Sequence, residues 1–378
     1  MKKRPSFCSL VTLVIAGLGI GRSPMASGET VCYSGMSDAS AVVALDGGRF
    51  MVADDEKNVL HIYSTARPGP PLQSLPWDIP LGIRSDDEHP EVDIEGATML
   101  DGHVYWISSH GRSKKGKWRP NRHRLFAMTV STSHGKTVAT PFGTACRNLV
   151  VQMVSSPALR GLGLERALAA GEREIKGLAP KKQGLNIEGL CAAADGQSLL
   201  IGFRNPRPGG KALLVPLKNP ADVLAKSARP RFGRPVQLDL RVRRGDTIVE
   251  LGIRSIEYSP RHKAYLIVAG PHDGERVFGV FSWSGVPSER ATLLREATVA
   301  VNQNATPDSE AAFNPEALSV RETEDCIQLL SDDGTLKVKV QSPAECEPGE
   351  YEDGWCEAKH LLDASRKTFR SLSVPLKR

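Results

Sequence analysis

A five-residue phrase, Asn186-Ile187-Glu188-Gly189-Leu190, recurs with small changes four more times along the chain. The other copies are Asp38-Ala39-Ser40-Ala41-Val42, Asp93-Ile94-Glu95-Gly96-Ala97, Ile253-Arg254-Ser255-Ile256-Glu257 and Asn314-Pro315-Glu316-Ala317-Leu318. After each, a short apolar run leads into a turn. A second, more apolar run then ends 14 to 15 residues beyond the central position, at Asp54, Ser109, Phe203, Gly270 and Ser331. Such self-similarity constrains the fold more than local propensity does, because each unit buries its faces only by stacking on its neighbours.

The runs inside each unit are short, rich in Val, Ile and Leu, and joined by turns such as Asp46-Gly47-Gly48, Asp101-Gly102 and Asp195-Gly196. Asp-Gly between two apolar runs is a strong hairpin signal. Short antiparallel strands repeating in this way predict an all-β chain folded as a single β-propeller of five blades. Six blades is the alternative, if Pro235 to Leu240 and Thr247 to Leu251 form a further blade. Phe369 to Val374 is expected to pair with Val31 to Ser34, which closes the ring and leaves no open edge.

The pattern stops over 142–184. Ser156-Pro157 there resembles a helix start and Leu159 to Ala170 is rich in helix formers, so this segment is read as a helical insertion on the outside of the ring or over one face. The propeller domain accordingly takes residues 29–378. Residues 1–28 read as a signal peptide: Lys2, Lys3 and Arg4 precede an apolar run from Phe7 to Ile20, and small residues follow at 26–28. A periplasmic or secreted protein is expected. No other apolar stretch approaches the roughly 20 residues of a membrane span. The formal charge of +6 is partly the basic leader, and the remaining Lys and Arg are mostly dispersed, so no nucleic-acid partner is expected. Loss of the leader removes Cys8 and leaves an even set of cysteines, which favours disulfides in an exported chain. Cys346 and Cys356 bracket a short loop and are the predicted pair.

In a propeller the first strand of each blade lines the central channel, so equivalent positions converge on one axis. Here they are taken as Ser40, Glu95, Glu188, Ser255 and Glu316. Like charges in a partly desolvated site push their pKa values up, and a hard cation relieves this. Calcium, with six to eight oxygen ligands, suits such a ring. The alternative is that these carboxylates accept backbone hydrogen bonds at the strand starts. The loops that end the second strands share a face with this ring. They supply Asp54 and Asp55 as candidates to activate water, and His110, Arg112, Arg204, Asn205, His272 and Asp273 as candidates to hold a phosphorylated small molecule. The basic run Ser113 to Arg124 would act as a clamp or face water. No Gly-x-Ser-x-Gly elbow, Gly-rich phosphate loop or zinc spacing is present. Two functions stay open: a calcium-dependent phosphohydrolase, or a non-catalytic propeller that binds a protein or glycan.

The phrases Asp93 to Ala97, Ser109 to Arg124, Leu185 to Leu190, Gly202 to Pro206 and Lys211 to Pro216 resemble the exported bacterial family catalogued as "domain of unknown function 3616". More distantly, the order Ser, Glu, Glu, Ser, Glu and the stretch Val52-Ala53-Asp54-Asp55 resemble the calcium-activated nucleotidases (apyrases). That resemblance implies five blades and a calcium ion in the channel at Ser40, Glu95, Glu188, Ser255 and Glu316.

Overall fold

The computed structural model describes residues 30–54, 56–133, 135–273, 277–296, 313–321 and 325–376, with the backbone alone at 295 and 296. The expected leader and Asp55 lie outside the described residues. Five four-stranded antiparallel sheets make a five-bladed propeller. The inner strands are Ala39–Leu45, Ile94–Leu100, Asn186–Ala192, Gly252–Ser259 and Pro315–Arg321. Each packs beside the next, and the fifth packs beside the first.

Small residues let the inner strands lie so close. A Cβ on Gly96 would stand 2.9 Å from the Leu190 backbone nitrogen, and one on Gly189 would stand 2.8 Å from Ile253 Cγ2. The glycine after the glutamate is therefore a packing requirement between blades.

Closure follows the expected pairing. Thr30–Ser34 is the outer strand of the fifth blade and pairs antiparallel with Thr368–Pro375, with Val31 opposite Ser371. Across this seam Tyr33 stacks on Phe369 with ring centroids 5.3 Å apart, and within the first blade Phe50 stacks on Tyr63 at 5.6 Å. The Tyr63 hydroxyl donates to the Ser34 carbonyl at 3.0 Å, so the phenol is buried with a partner.

The segments weighed for a sixth blade go elsewhere. Val236–Leu238 pairs with Ala212–Leu217 as the outer strand of the third blade. Thr247–Glu250 pairs only with Arg241–Arg244, in a two-stranded ribbon. The insertion starts later than expected, because the second blade's outer strand runs from Lys136 to Cys146. Its helices, Leu149–Val154 and Leu164–Leu168, are short. Gly161 and Gly163, with φ of 81° and 77°, divide the stretch expected as one helix. Leu149, Met153, Leu164 and Leu168 share a core with Ile107 and Leu125 of the second blade and Leu185 and Ile187 at the start of the third. Each such side chain contributes about 1.5–3 kcal/mol on burial.

Candidate functional site

In every blade the pairing of the first two strands slips by one residue at the same place. The slips fall between Ala39 and Ala41, Ile94 and Gly96, Ile187 and Gly189, Ile253 and Ser255, and Pro315 and Ala317. One residue per blade is thereby left out of the ladder: Ser40, Glu95, Glu188, Arg254 and Glu316. A bulge is a means of re-aiming a side chain. The fourth member is thus Arg254, a correction to the expected Ser255. Ile253 takes the place of Ile94 and Ile187, and Ser255 takes the place of the following glycine. The Ser255 hydroxyl accepts a hydrogen bond from the Leu318 N–H at 3.1 Å.

Glu95, Glu188, Arg254 and Glu316 line a chamber of about 520 Å³ in the channel. Glu56, Asp273 and Asp332 reach it from the loops after second strands, and Lys181 reaches it from the insertion. The expected shared face is therefore where the chamber lies. Ser40 is turned to its neighbours instead, and its hydroxyl donates to the carbonyls of Ala53 and Ile94.

Glu188 is the centre of the charge arrangement. Its Oε1 accepts from Arg204 Nη1 at 2.7 Å and from Asn186 Nδ2 at 2.7 Å, and its Oε2 lies 3.7 Å from Arg254 Nε. The other end of Arg254 pairs with Glu316, and its guanidinium lies over the Phe278 ring at 5.3 Å. Arg204 Nε donates to the Pro271 carbonyl at 2.9 Å. Glu188, Arg204 and Arg254 are all buried.

Burial alone would raise the Glu188 carboxyl, but Arg204 and Arg254 overcome it and hold the group below its ordinary range. Glu95 goes the other way: burial, then Asp93 and Glu188, push it well above. Burial and Arg204 push the Arg254 guanidinium down to about 10. Lys181, although its side chain as a whole is exposed, has its ammonium lowered by desolvation and then by Arg204 and Arg254. Four buried polar atoms at this point, Glu188 Oε2, Arg204 Nη2, Arg254 Nε and Asn186 Oδ1, have no hydrogen-bond partner among the described residues. Each costs about 1–3 kcal/mol when left unmet, so they favour a polar guest.

The charge balance expected of calcium is met at the ring by guanidinium groups. Glu188 and Glu316 are engaged by Arg204 and Arg254, Ser255 faces away, and a divalent cation beside two buried arginines would be repelled. The ring does not suit calcium in the expected way. Among the described residues no three His, Cys, Asp or Glu side chains gather as metal ligands.

The remaining candidates separate. Asp54 is buried away from the chamber, accepts from the Glu56 N–H at 3.1 Å, and is pushed up to about 6 by burial. His110 and Arg112 are buried outside the chamber and are structural, contrary to the rim role expected of them. His110 Nδ1 bonds the Ser108 carbonyl at 2.8 Å, and its ring packs edge-on to His123. The Arg112 guanidinium donates to the carbonyls of Gly116, Leu168, Ala169 and Glu172, which ties the insertion down. The basic run is likewise folded back. Arg122 pairs with Glu91 at 2.6 Å and Asp93 at 2.8 Å, and Arg124 donates to Pro120, Asn121 and His123. Lys114 and Arg122 from that run do line the chamber, and so does Asp273. Asn205 and His272 face a second, outer cavity.

Arg254 and Lys181 were missed from the sequence as site residues. The first was legible in Ile253-Arg254-Ser255, which has the apolar, charged, small order of Ile94-Glu95-Gly96. Nothing local marks Lys181. Cys346 and Cys356 are free thiols here; they share a buried cluster with Val340 and Leu361, and burial and then Cys346 push the Cys356 thiol up to about 12.

No family model matches the chain, including one for the exported family it resembles, and no curated protein matches it. Solved structures similar to it include a structural genomics protein of unknown function from Bacteroides thetaiotaomicron, 9% identical, with a TM-score of 0.40 over 92% of this chain and 76% of that one. The RRP9 WD40 repeats are similar at 11% identity and a TM-score of 0.37, covering 93% and 98% of the two chains. The Cps50 (Swd1) β-propeller domain from Myceliophteria thermophila is similar at 10% identity and 0.33, covering 78% and 94%. At these scores the five-bladed assignment rests on the strand pairing itself.

Proposed function

We propose that this protein is exported and that its channel chamber binds a small phosphate-bearing ligand. The observation that carries the reading is the convergence of Arg204, Arg254, Lys181 and Lys114 on one chamber, where Arg204 Nη2 and Arg254 Nε are buried without a hydrogen-bond partner among the described residues. The lining as a whole has nine acidic and seven basic side chains, and it is the unpartnered guanidinium nitrogens beside Lys181 that are a local complement for an anion. A chamber of this volume lies in the range of small-molecule sites, which favours a small ligand over a protein or glycan surface.

Calorimetric titration with inorganic phosphate, at low salt and with chelator present, tests this. Saturable binding that weakens at least tenfold in Lys114→Met/Lys181→Met, with the melting temperature unchanged, is expected. No binding to the wild type, or binding that appears only when calcium replaces the chelator, overturns it.

A hydrolytic reading is favoured by Glu95. This buried carboxyl lines the chamber, makes no hydrogen bond among the described residues, and is shifted oppositely to Glu188. Two carboxyl groups with diverging pKa values in one site are a common arrangement for acid–base work. Protonated Glu95 would donate to the leaving oxygen of a phosphate ester as water adds to phosphorus and the ester bond breaks, and the carboxylate would then regain a proton from the added water, which moves the chemistry away from Asp54 and Asp55. Glu95→Gln should then abolish phosphate-ester turnover and keep phosphate binding.

A further inference from the structure

Beside the chamber lies an outer cavity of about 450 Å³ between the insertion and the loops of the third and fourth blades. The two cavities share a wall. Arg204 lines the chamber and the next residue, Asn205, lines the outer cavity; Asp273 lines the chamber and the preceding residue, His272, lines the outer cavity. Lys182 lines both.

The charge character of the outer cavity is simpler than that of the chamber. Arg166, Lys182 and Arg207 line it, and among the described residues no carboxylate does. Arg207 is held in place: Nη1 bonds the Glu250 carbonyl and Nη2 donates to His272 Nδ1 at 2.9 Å. With Nδ1 as the acceptor, the imidazole is neutral and carries its proton on Nε2. Arg207 Nε is buried with no hydrogen-bond partner among the described residues. Asn205 Nδ2 donates to the Lys182 carbonyl at 2.9 Å, which fixes the shared wall.

We propose that the outer cavity is a second anion subsite and that the ligand is an elongated molecule with two anionic groups, one in the chamber and one held by Arg166, Lys182 and Arg207. The proposal rests on the phosphate reading of the chamber and narrows its ligand class. A molecule that meets both subsites gains affinity because the second contact becomes intramolecular, and the gain depends on matching the span.

Calorimetry with inorganic phosphate, pyrophosphate, tripolyphosphate and tetrapolyphosphate under chelator tests it. Phosphate alone should fill two sites per chain in the wild type and one in Arg166→Ala/Arg207→Ala. At least one longer member should bind one per chain and at least tenfold tighter than phosphate, and should lose that advantage in the double variant. Arg166→Ala alone, at an exposed position, should lose a part of it and guards against misfolding of the double variant. If chain length brings no gain, or the gain survives both variants, the outer subsite is overturned while phosphate binding in the chamber stands. If phosphate fails to bind in a Lys181-dependent way, the chamber reading itself is overturned.

Discussion

Glu188 stands between two buried guanidinium groups, and its charge matters more than its shape. Glu188→Gln can still accept from Arg204 but leaves Arg204 and Arg254 facing each other with Glu316 as the nearest counter-charge. Removing one member of a buried pair costs about 3–5 kcal/mol, because the charge left behind is uncompensated. Urea unfolding of Glu188→Gln should show that loss, and Glu188→Gln/Arg254→Met should recover part of it. A loss under about 1 kcal/mol would mean that water, not Glu188, balances the arginines. The carboxylates of this cluster were legible because four of the five bulge positions fall at one phase of a sequence repeat. Arg254 was lost by a one-residue shift, since Ser255 imitates the Ser40 of the first copy. Arg112 and His110 could not be placed from sequence. Their loop reads as an exposed basic rim, and besides the local Gly116 carbonyl it is carbonyls supplied by the insertion, some 56 to 60 residues away, that hold the guanidinium inward.

At the scale of elements, the strands were legible wherever two apolar runs met at an Asp-Gly turn, because that turn sets hairpin register locally. The insertion was legible as a helical break in the pattern, but its chamber contact through Lys181 was not, since that depends on packing against distant blades. A small satellite after the fifth inner pair falls between these cases. There Lys337–Lys339 pairs with Trp355–Glu357, placing Val338 opposite Cys356, and an isolated bridge joins Cys346 to Leu361. This brings the two thiols together inside an apolar cluster, so oxidation needs little rearrangement of the chain. We expect a Cys346–Cys356 disulfide in protein isolated from an oxidising compartment, found by peptide mapping without reduction. A loop this short is stabilised by about 2–3 kcal/mol in the chain-entropy view. Cys346→Ser/Cys356→Ser should therefore increase proteolysis within the satellite and leave the blades intact. Two free thiols in protein from such a compartment would refute the pairing.

For the molecule as a whole, the buried titratable groups oppose one another as pH changes, and which set dominates depends on the window. Burial first, then Asp332, Glu56 and Asp54, push Asp38 up to about 8, while burial pushes Asp54 up to about 6. Glu95 is raised in the same direction. In the unfolded chain such carboxyls titrate near pH 4, so above that pH the folded protein holds protons that the unfolded chain has released. The stability they contribute is fully present below about pH 4 and is lost as pH rises through 6 and 8. The histidines have the reverse sign. Burial pushes His61 and His110 down to about 4, and burial with His110 and Arg124 pushes His123 down to about 2. Their contribution is present above the ordinary histidine value near 6.5 and is lost as pH falls toward 4. Burial and then Asp93 also push Glu91 up to about 7, so between about pH 4.5 and 6.5 the histidines offset most but not all of the carboxyls and stability should fall only gently. Above 6.5 the histidines are neutral in both states and only the carboxyls act, so unfolding free energy from urea titrations should decline from pH 6.5 to 8.5. The slope is on the order of 1.4 kcal/mol per pH unit for each proton of difference. Asp38→Asn cannot titrate and should flatten the upper part of the decline. Stability that holds level or rises over that range, or an unchanged slope in Asp38→Asn, would show that the buried carboxyls are charged and paired in the folded ring.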